Sequence, residues 1–197
     1  FKSNRRETIL RGVEFQMGVT GKFTPVGIFD PVEFQGAKLT RASFGSIYRF
    51  KEMAPKIGCI IEVSRRGDII PYIETIVNTE VPGVSDIEEF DSCPYCKESL
   101  DSKDFSCTNT RCPEKLFLQI RNYVGSLGVK GIGPSLVKGL VDKGTIKTLS
   151  DIYEVKSEDI TSIPRQGQTS ADKWDAFINR NIRLIDFLSA LPFDNIG

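Results

Sequence analysis

The chain has five cysteines and no histidine, and four of the cysteines stand at a spacing that chemistry can use. Cys93 and Cys96 form a tight pair, ten residues intervene, and Cys107 and Cys112 form a second pair. About one turn of chain brings the sulfurs of each pair to the same side, so all four can surround one centre. Zn²⁺ accepts four thiolates in a tetrahedron, which leaves no open coordination position. The spacing therefore predicts a structural site, one Zn²⁺ held by Cys93, Cys96, Cys107 and Cys112. Two disulfides are the other use of these thiols, but the chain shows no secretory signal and intracellular thiols stay reduced. The stretch 92–113 is poor in apolar residues, so metal rather than burial must supply its folding free energy. Cys59 sits in an apolar strand pattern with nothing basic placed to activate it, and reads as a core thiol. The absence of histidine removes Ser-His-Asp and Cys-His catalysis, and two-histidine zinc sites, from this chain.

A second pattern is built from glycine. Leu127-Gly128-Val129-Lys130-Gly131-Ile132-Gly133-Pro134-Ser135 separates two apolar helical stretches. Glycine has no Cβ to hold a phosphate away, and the N–H groups at the next helix start face an anion. This is the pattern of a helix-hairpin-helix, which holds DNA through its backbone and reads no sequence. A weaker copy follows at Ile163 to Ala171, where Arg165 replaces one glycine and Gly167 is kept. A third begins at Leu191 and runs to Gly197. The plainer reading is a set of glycine C-caps in an ordinary helical domain, and repetition downstream of the cysteines weighs against it. Gly131, Gly133 and Gly167 are the expected DNA contacts.

These motifs need elements to hold them. From Thr8 to Gly18 apolar and polar residues roughly alternate, Phe23 to Phe34 is again extended but broken by Pro25 and Pro31, and Gly58 opens the run Cys59 to Val63. Arg66-Gly67-Asp68 reads as a hairpin turn into Ile69 to Val77. Phe44 to Met53 is the one helix expected in this part. Short strands with glycine turns over this length predict a small five-stranded barrel of the oligonucleotide-binding (OB) type. Beyond residue 112 the period becomes helical. Leu116, Ile120, Tyr123, Val124 and Leu127 share a face, and amphipathic stretches follow at Pro134–Lys143, Leu149–Val155, Ala171–Asn181 and Ile182–Leu191.

The 26 basic and 26 acidic side chains cancel, which at first argues against a nucleic-acid partner. The distribution changes that reading. Residues 1–79 carry 12 basic and 8 acidic side chains, and residues 80–91 carry five acids and no base. Residues 92–197 carry 14 basic and 13 acidic. Pro82-Gly83 lies within the acidic stretch and marks a turn. The fold expected is multidomain β + α, with the end of an upstream domain in 1–6 and an OB barrel in 7–79. An acidic linker follows in 80–91, then a four-cysteine zinc finger in 92–113 and an all-helical helix-hairpin-helix domain in 114–197. No apolar run reaches the ~20 residues that span a bilayer, so a soluble intracellular protein or fragment is expected.

In this order the pieces resemble the NAD⁺-dependent DNA ligases of bacteria and their phages. Val13-Glu14-Phe15-Gln16-Met17-Gly18, Thr20-Gly21 and Thr24-Pro25-Val26 are similar to the V-E-x-Q-V-G-R-T-G-x-x-T-P-V run of that family's barrel. Asp30-Pro31-Val32, Ile57-Gly58 and Arg65 to Pro71 resemble its E-P-V, R-I-G-D and R-R-A-G-D-V-I-P motifs. Cys112-Pro113 matches its last zinc ligand. Two positions depart from the family: Val19 stands at an arginine that contacts DNA, and Gly45 at a usual histidine.

The resemblance implies nick sealing in duplex DNA, in replication and repair, through enzyme–AMP and DNA–AMP intermediates. NAD⁺ and Mg²⁺ would be used by the complete enzyme and bound largely by a nucleotidyltransferase domain. The adenylated lysine belongs to a K-x-D-G motif that this chain lacks, so the chain alone is expected to be inactive. Phe1-Lys2 resembles the end of that domain, which makes Lys2 the lysine contacting the adenylate phosphate; a solvated lysine is the plainer reading. Arg65, Ile69 and Ile70 match barrel positions that meet the minor groove, although the two isoleucines are also plausible strand core. The partners implied are nicked double-stranded DNA and a nucleotidyltransferase domain or subunit. No membrane is implied, and the location expected is the cytoplasm of a bacterial cell or a phage-infected host. The alternative is a non-catalytic DNA-binding or scaffold module built from the same parts.

Overall fold

The computed structural model describes residues 5–34, 36–66 and 70–191. Two compact units emerge. The first takes the described residues up to Met17, then 22–91 and 101–106. The second takes 18–21, 92–100 and the described residues from Cys107 on.

The first unit is a closed five-stranded barrel in the order β1-β2-β3-β5-β4. Its strands are β1 (Arg5–Met17), β2 (Phe23–Phe34), β3 (Ala37–Ser43), β4 (Ile60–Arg66) and β5 (Ile70–Asn78). All pairings are antiparallel except β3 with β5, where Ser43 opposes Tyr72 in parallel and closes the barrel. Helix α1 (Ile47–Met53) lies between β3 and β4 in the chain. Burial along β2 alternates, with Phe23, Pro25, Gly27 and Phe29 inward, the period of two that the pleat imposes. Leu10, Phe44, Ile61, Val63 and Ile73 complete the interior.

Both prolines of β2 are accommodated, so the strand runs unbroken. Pro31 falls in the register shift between Ile28 and Val32, where no ladder N–H is required. Helix α1 starts at Ile47, three residues later than expected. Gly45 sits at φ 90° and Ser46 is extended, with its hydroxyl accepting from the Arg49 N–H at 3.2 Å. Strand β3 has no counterpart in the expectation. Its burial is mostly exposed to half-exposed, so apolar alternation does not mark it.

Residues 80–91 lie against the barrel. Ser85 bridges to Ile57, Lys51 pairs with Glu89 at 3.2 Å and Lys56 with Asp86 at 3.4 Å. Phe90 meets Phe15, Phe23 and Phe105 edge-on or tilted, at centroid distances of 5.1–5.2 Å.

The second unit is helical: α2 (Pro113–Ser126), α3 (Pro134–Asp142), a short 3-10 helix (Leu149–Glu154), α4 (Ser157–Thr161), α5 (Gln168–Ile178) and α6 (Leu184–Ala190). One core joins them, with Ile120, Tyr123, Leu136, Leu140, Ile152 and Trp174 at its centre. The Trp174 indole N–H donates to the Ile152 carbonyl at 3.2 Å, which satisfies the one polar atom of that ring. Helix α4 is too short, and has too little apolar surface beyond Ile160, to show a helical period. Its first turn is fixed by Asp159, which accepts from the Lys156 N–H.

Candidate metal centre and nucleic-acid interface

The four cysteines converge. Their Sγ atoms all lie within 4.8 Å of one another, with Cys93 to Cys112 at 4.0 Å and Cys96 to Cys107 at 3.5 Å. Four sulfurs at ~2.3 Å from a tetrahedral centre stand about 3.8 Å apart, so the cluster fits one zinc-sized ion. Local backbone builds the cage. The Cys93 N–H donates to the Glu98 carbonyl at 2.7 Å, and the Lys97 N–H returns to the Cys93 carbonyl at 2.8 Å with Lys97 left-handed at φ 64°. Leu100 bridges to Cys107. Cys112 stands at the N-cap of α2, before Pro113, where the positive helix end favours a thiolate.

Cys93, Cys107 and Cys112 are buried. Burial pushes the Cys107 and Cys112 thiols up, against backbone N–H donors at Asn109 for Cys107 and at Lys115 and Glu114 for Cys112. For Cys96 burial is outweighed by the Glu98 backbone N–H and by side-chain hydrogen bonding that includes Asn109, which bring it down to about 7. These donors suit thiolates, and a divalent cation would offset the cost of burying them. One participant was not legible in sequence: the Gly21 carbonyl accepts from the Cys107 N–H at 3.0 Å. In the sequence Gly21 belongs to the Thr20-Gly21 piece of the barrel motif, which carries no sign of this contact. Cys59 is fully buried and burial raises its thiol.

The two glycine hairpins share one backbone plan. Gly131 is left-handed at φ 88°, and Arg165, at the matching position, is left-handed at φ 65°. Gly133 and Gly167 are the extended N-caps of α3 and α5, and no side chain caps either helix. The first-turn N–H groups are therefore left for another partner. The hairpins pack where α3 presents Gly139, whose position would put a Cβ 2.7 Å from Ile163 Cγ2. Lys173 of α5 covers Gly131, and a Cβ there would lie 2.7 Å from its Cδ and 3.0 Å from its Nζ. Of the third expected hairpin, residues 192–197 lie outside the described residues.

In the barrel, Arg65 of β4 pairs with Pro71 of β5, and Ile70 opposes Arg66 at the end of the same ladder. Arg65 Nε is buried with no hydrogen-bond partner among the described residues. Lys2 and Ile69 lie outside them. At Gly45 a Cβ would come 2.6 Å from the Tyr72 hydroxyl, so Tyr72 fills the space that a side chain would need. Arg49 lies over the Tyr72 ring at 4.5 Å and donates to the carbonyls of Phe44, Ile73 and Glu74. Val19 lies beside Leu118, Arg121, Asn122, Gly125 and Ser126 around a shallow depression of the second unit.

Two family models match the sequence of these parts. Residues 7–85 match the NAD-dependent DNA ligase OB-fold domain, and residues 127–177 match a SAM-like helix-hairpin-helix tandem. Over its whole length the chain is 33% identical to a DNA ligase of Natronomonas pharaonis, of which it covers 29%. It is 29% identical to a DNA ligase of Treponema denticola and 30% identical to one of Petrotoga mobilis, again over its whole length and covering 31% of each. The chain thus spans about three tenths of the length of the curated relatives it matches.

Proposed function

We infer that this chain, which belongs to the NAD-dependent DNA ligase family through its OB-fold domain, helix-hairpin-helix tandem and full-length similarity, is the part of such an enzyme that holds nicked duplex DNA. The observation that carries this reading is the repeated hairpin. Two loops place a left-handed residue two positions before an extended, uncapped glycine at a helix start, and such a start offers N–H groups to phosphates. In this reading Gly131, Gly133 and Gly167 let the backbone approach DNA, while Arg65, Ile69 and Ile70 meet the minor groove. The unpartnered Arg65 Nε supports a role in which another group completes its hydrogen bonding.

NAD⁺ and Mg²⁺ serve a nucleotidyltransferase domain that carries the adenylated lysine, with Lys2 at the adenylate phosphate. In the domain reading the barrel covers 7–79, the segment 80–91 leads to the finger at 92–113, and 114–197 forms the hairpin domain. Cys93, Cys96, Cys107 and Cys112 hold one structural Zn²⁺, which supplies cross-linking and no chemistry at an open position.

Reconstitution tests the function. The chain alone should form no covalent AMP adduct, yet it should restore sealing of a nicked duplex to a nucleotidyltransferase domain supplied with NAD⁺ and Mg²⁺. Sealing that stays unchanged on adding the chain would leave only the scaffold reading. Elemental analysis tests the metal. About one zinc per chain is expected, lost together with the α2 N-terminal turn when the four cysteines become serine. A serine variant that folds and melts like the parent would refute the structural site.

A further inference from the structure

We propose that Lys115, in the first turn of α2, is a positioning residue of the four-cysteine centre: it fastens Cys107 and Cys112 to the Gly18–Gly21 turn and offsets part of the charge of the cage. The proposal deepens the structural-zinc reading above and rests on it.

The argument begins with charge. Four thiolates outnumber the charge of one Zn²⁺, so the filled cage is anionic. Three of its four sulfurs belong to buried residues, Cys93, Cys107 and Cys112. A buried excess of charge is costly unless hydrogen bonds or an opposite charge offset it. Lys115 is half-buried and makes no ion pair among the described residues. Its neighbour Glu114 is met by Lys138 at 3.8 Å. The positive charge of Lys115 is therefore left for the cage beside it.

Geometry then links Lys115 to both members of the second cysteine pair. Its backbone N–H donates to the Cys112 sulfur, and its ammonium lies 3.5 Å from the Cys107 carbonyl. That second contact is long for a hydrogen bond, so it acts mainly through charge. Between the two points the side chain runs across Gly21, where a Cβ would lie 3.1 Å from Cε and 3.2 Å from Cδ and Nζ. Gly21 is left-handed at φ 91°, and its N–H closes the turn onto the Gly18 carbonyl at 2.9 Å. The Gly21 carbonyl in turn accepts from the Cys107 N–H at 3.0 Å. Cys107 is thus held through its N–H by Gly21 and through its carbonyl by Lys115, and Lys115 packs on Gly21 to close the set. Partners of metal ligands held in this way are typically worth about 10–100-fold in metal affinity.

The test is transfer of zinc from the loaded 197-residue chain to a chromogenic chelator, followed by absorbance. Lys115→Met keeps most of the apolar stem and removes the charge, and it should release zinc about tenfold faster than the parent. Lys115→Arg should stay close to the parent. Lys115→Gln can still donate a hydrogen bond but bears no charge, and it should resemble Lys115→Met. Added salt should speed release from the parent and narrow its difference from Lys115→Met, as a charge effect requires. A residue that only packs would leave all the variants alike and none of them sensitive to salt in this way. Should Lys115→Met fail to fold in excess zinc, the Gln and Arg variants decide: faster release from Gln upholds the proposal, and equal rates overturn it. Should the parent and Lys115→Met release zinc equally fast, the positioning role is wrong and the metal site stands. Should the parent take up no zinc at all, the metal reading itself fails and Lys115 with it.

Discussion

Gly27 shows how little freedom one position in the barrel has. It faces inward on β2, and a Cβ there would meet Ile73 Cδ1 at 2.6 Å, Leu10 Cδ1 at 3.0 Å and Phe44 Cε2 at 3.2 Å. Side chains from β1, from β5 and from the segment after β3 crowd the same point, so no single neighbour can yield alone. Gly27→Ala is expected to cost about 1–3 kcal/mol, the usual range for overpacking a filled core. Urea unfolding reads the loss, and trimming Ile73 to Val should recover part of it. Asp151 makes a different residue-scale case. It accepts from the Thr148 hydroxyl at 2.7 Å and from the N–H groups of Lys147 and Thr148 at 2.8 and 2.9 Å. The Thr148 hydroxyl first, and then the Lys147 N–H, hold its carboxyl below the ordinary value. Its contribution is therefore complete above about pH 4, the unfolded value, and is lost as the pH falls through the lower folded value. Asp151→Asn should melt earlier than the parent at neutral pH, with the two curves converging in acid. Equal melting at pH 7 would remove Asp151 from the account of this cap.

Among the elements, α3 and the second hairpin meet closely where Gly139 faces Ile163, two residues past α4. Gly139 is interior to α3, where glycine ordinarily loses about 1 kcal/mol to alanine. Here the ideal Cβ would lie 2.7 Å from Cγ2 of Ile163, a branched and buried side chain that cannot swing aside. Gly139→Ala is thus expected to destabilise by about 1–2 kcal/mol despite its better propensity. In an Ile163→Ala background the sign should reverse, because the obstacle is gone. A thermal-melt cycle on the four proteins checks both signs. Element legibility followed apolar period. Strands β1 and β2 and helices α2, α3 and α5 show one, and the sequence reading found them. Strand β3 has few buried positions, and α4 offers only Ile160 to the core, so tertiary pairing and local capping decide both. The four-cysteine centre was legible because spacing alone demands convergence. Gly21 could not be assigned its role this way, since it acts through Cys107, a partner distant in sequence.

At the scale of the molecule, charge is where sequence counting and structure diverge most. The excess of bases in 1–79 suggests a positive barrel, yet many of those bases are paired. Arg5 meets Glu62, Arg11 meets Asp30 and Arg41 meets Glu14 within the barrel, and the segment 80–91 supplies Glu89 to Lys51 and Asp86 to Lys56. Exposed pairs of this kind contribute little to stability, typically about 0–1 kcal/mol. Their larger effect is on the field a polyanion meets. Each lysine held by a carboxylate is withdrawn from phosphate neutralisation, whose free energy comes from counterion release. On the DNA-holding role proposed above, Asp86 and Glu89 would therefore act as a brake on non-specific adhesion, by holding Lys56 and Lys51 away from phosphates. Replacing them together, Asp86→Asn with Glu89→Gln, should leave melting nearly unchanged. It should tighten binding to an unnicked duplex a few-fold near ~0.1 M salt, with the gain shrinking as salt screens it. Affinity and salt slope identical to the parent would mean that Lys51 and Lys56 never face the DNA, and the barrel would then act through Arg65 and its neighbours alone.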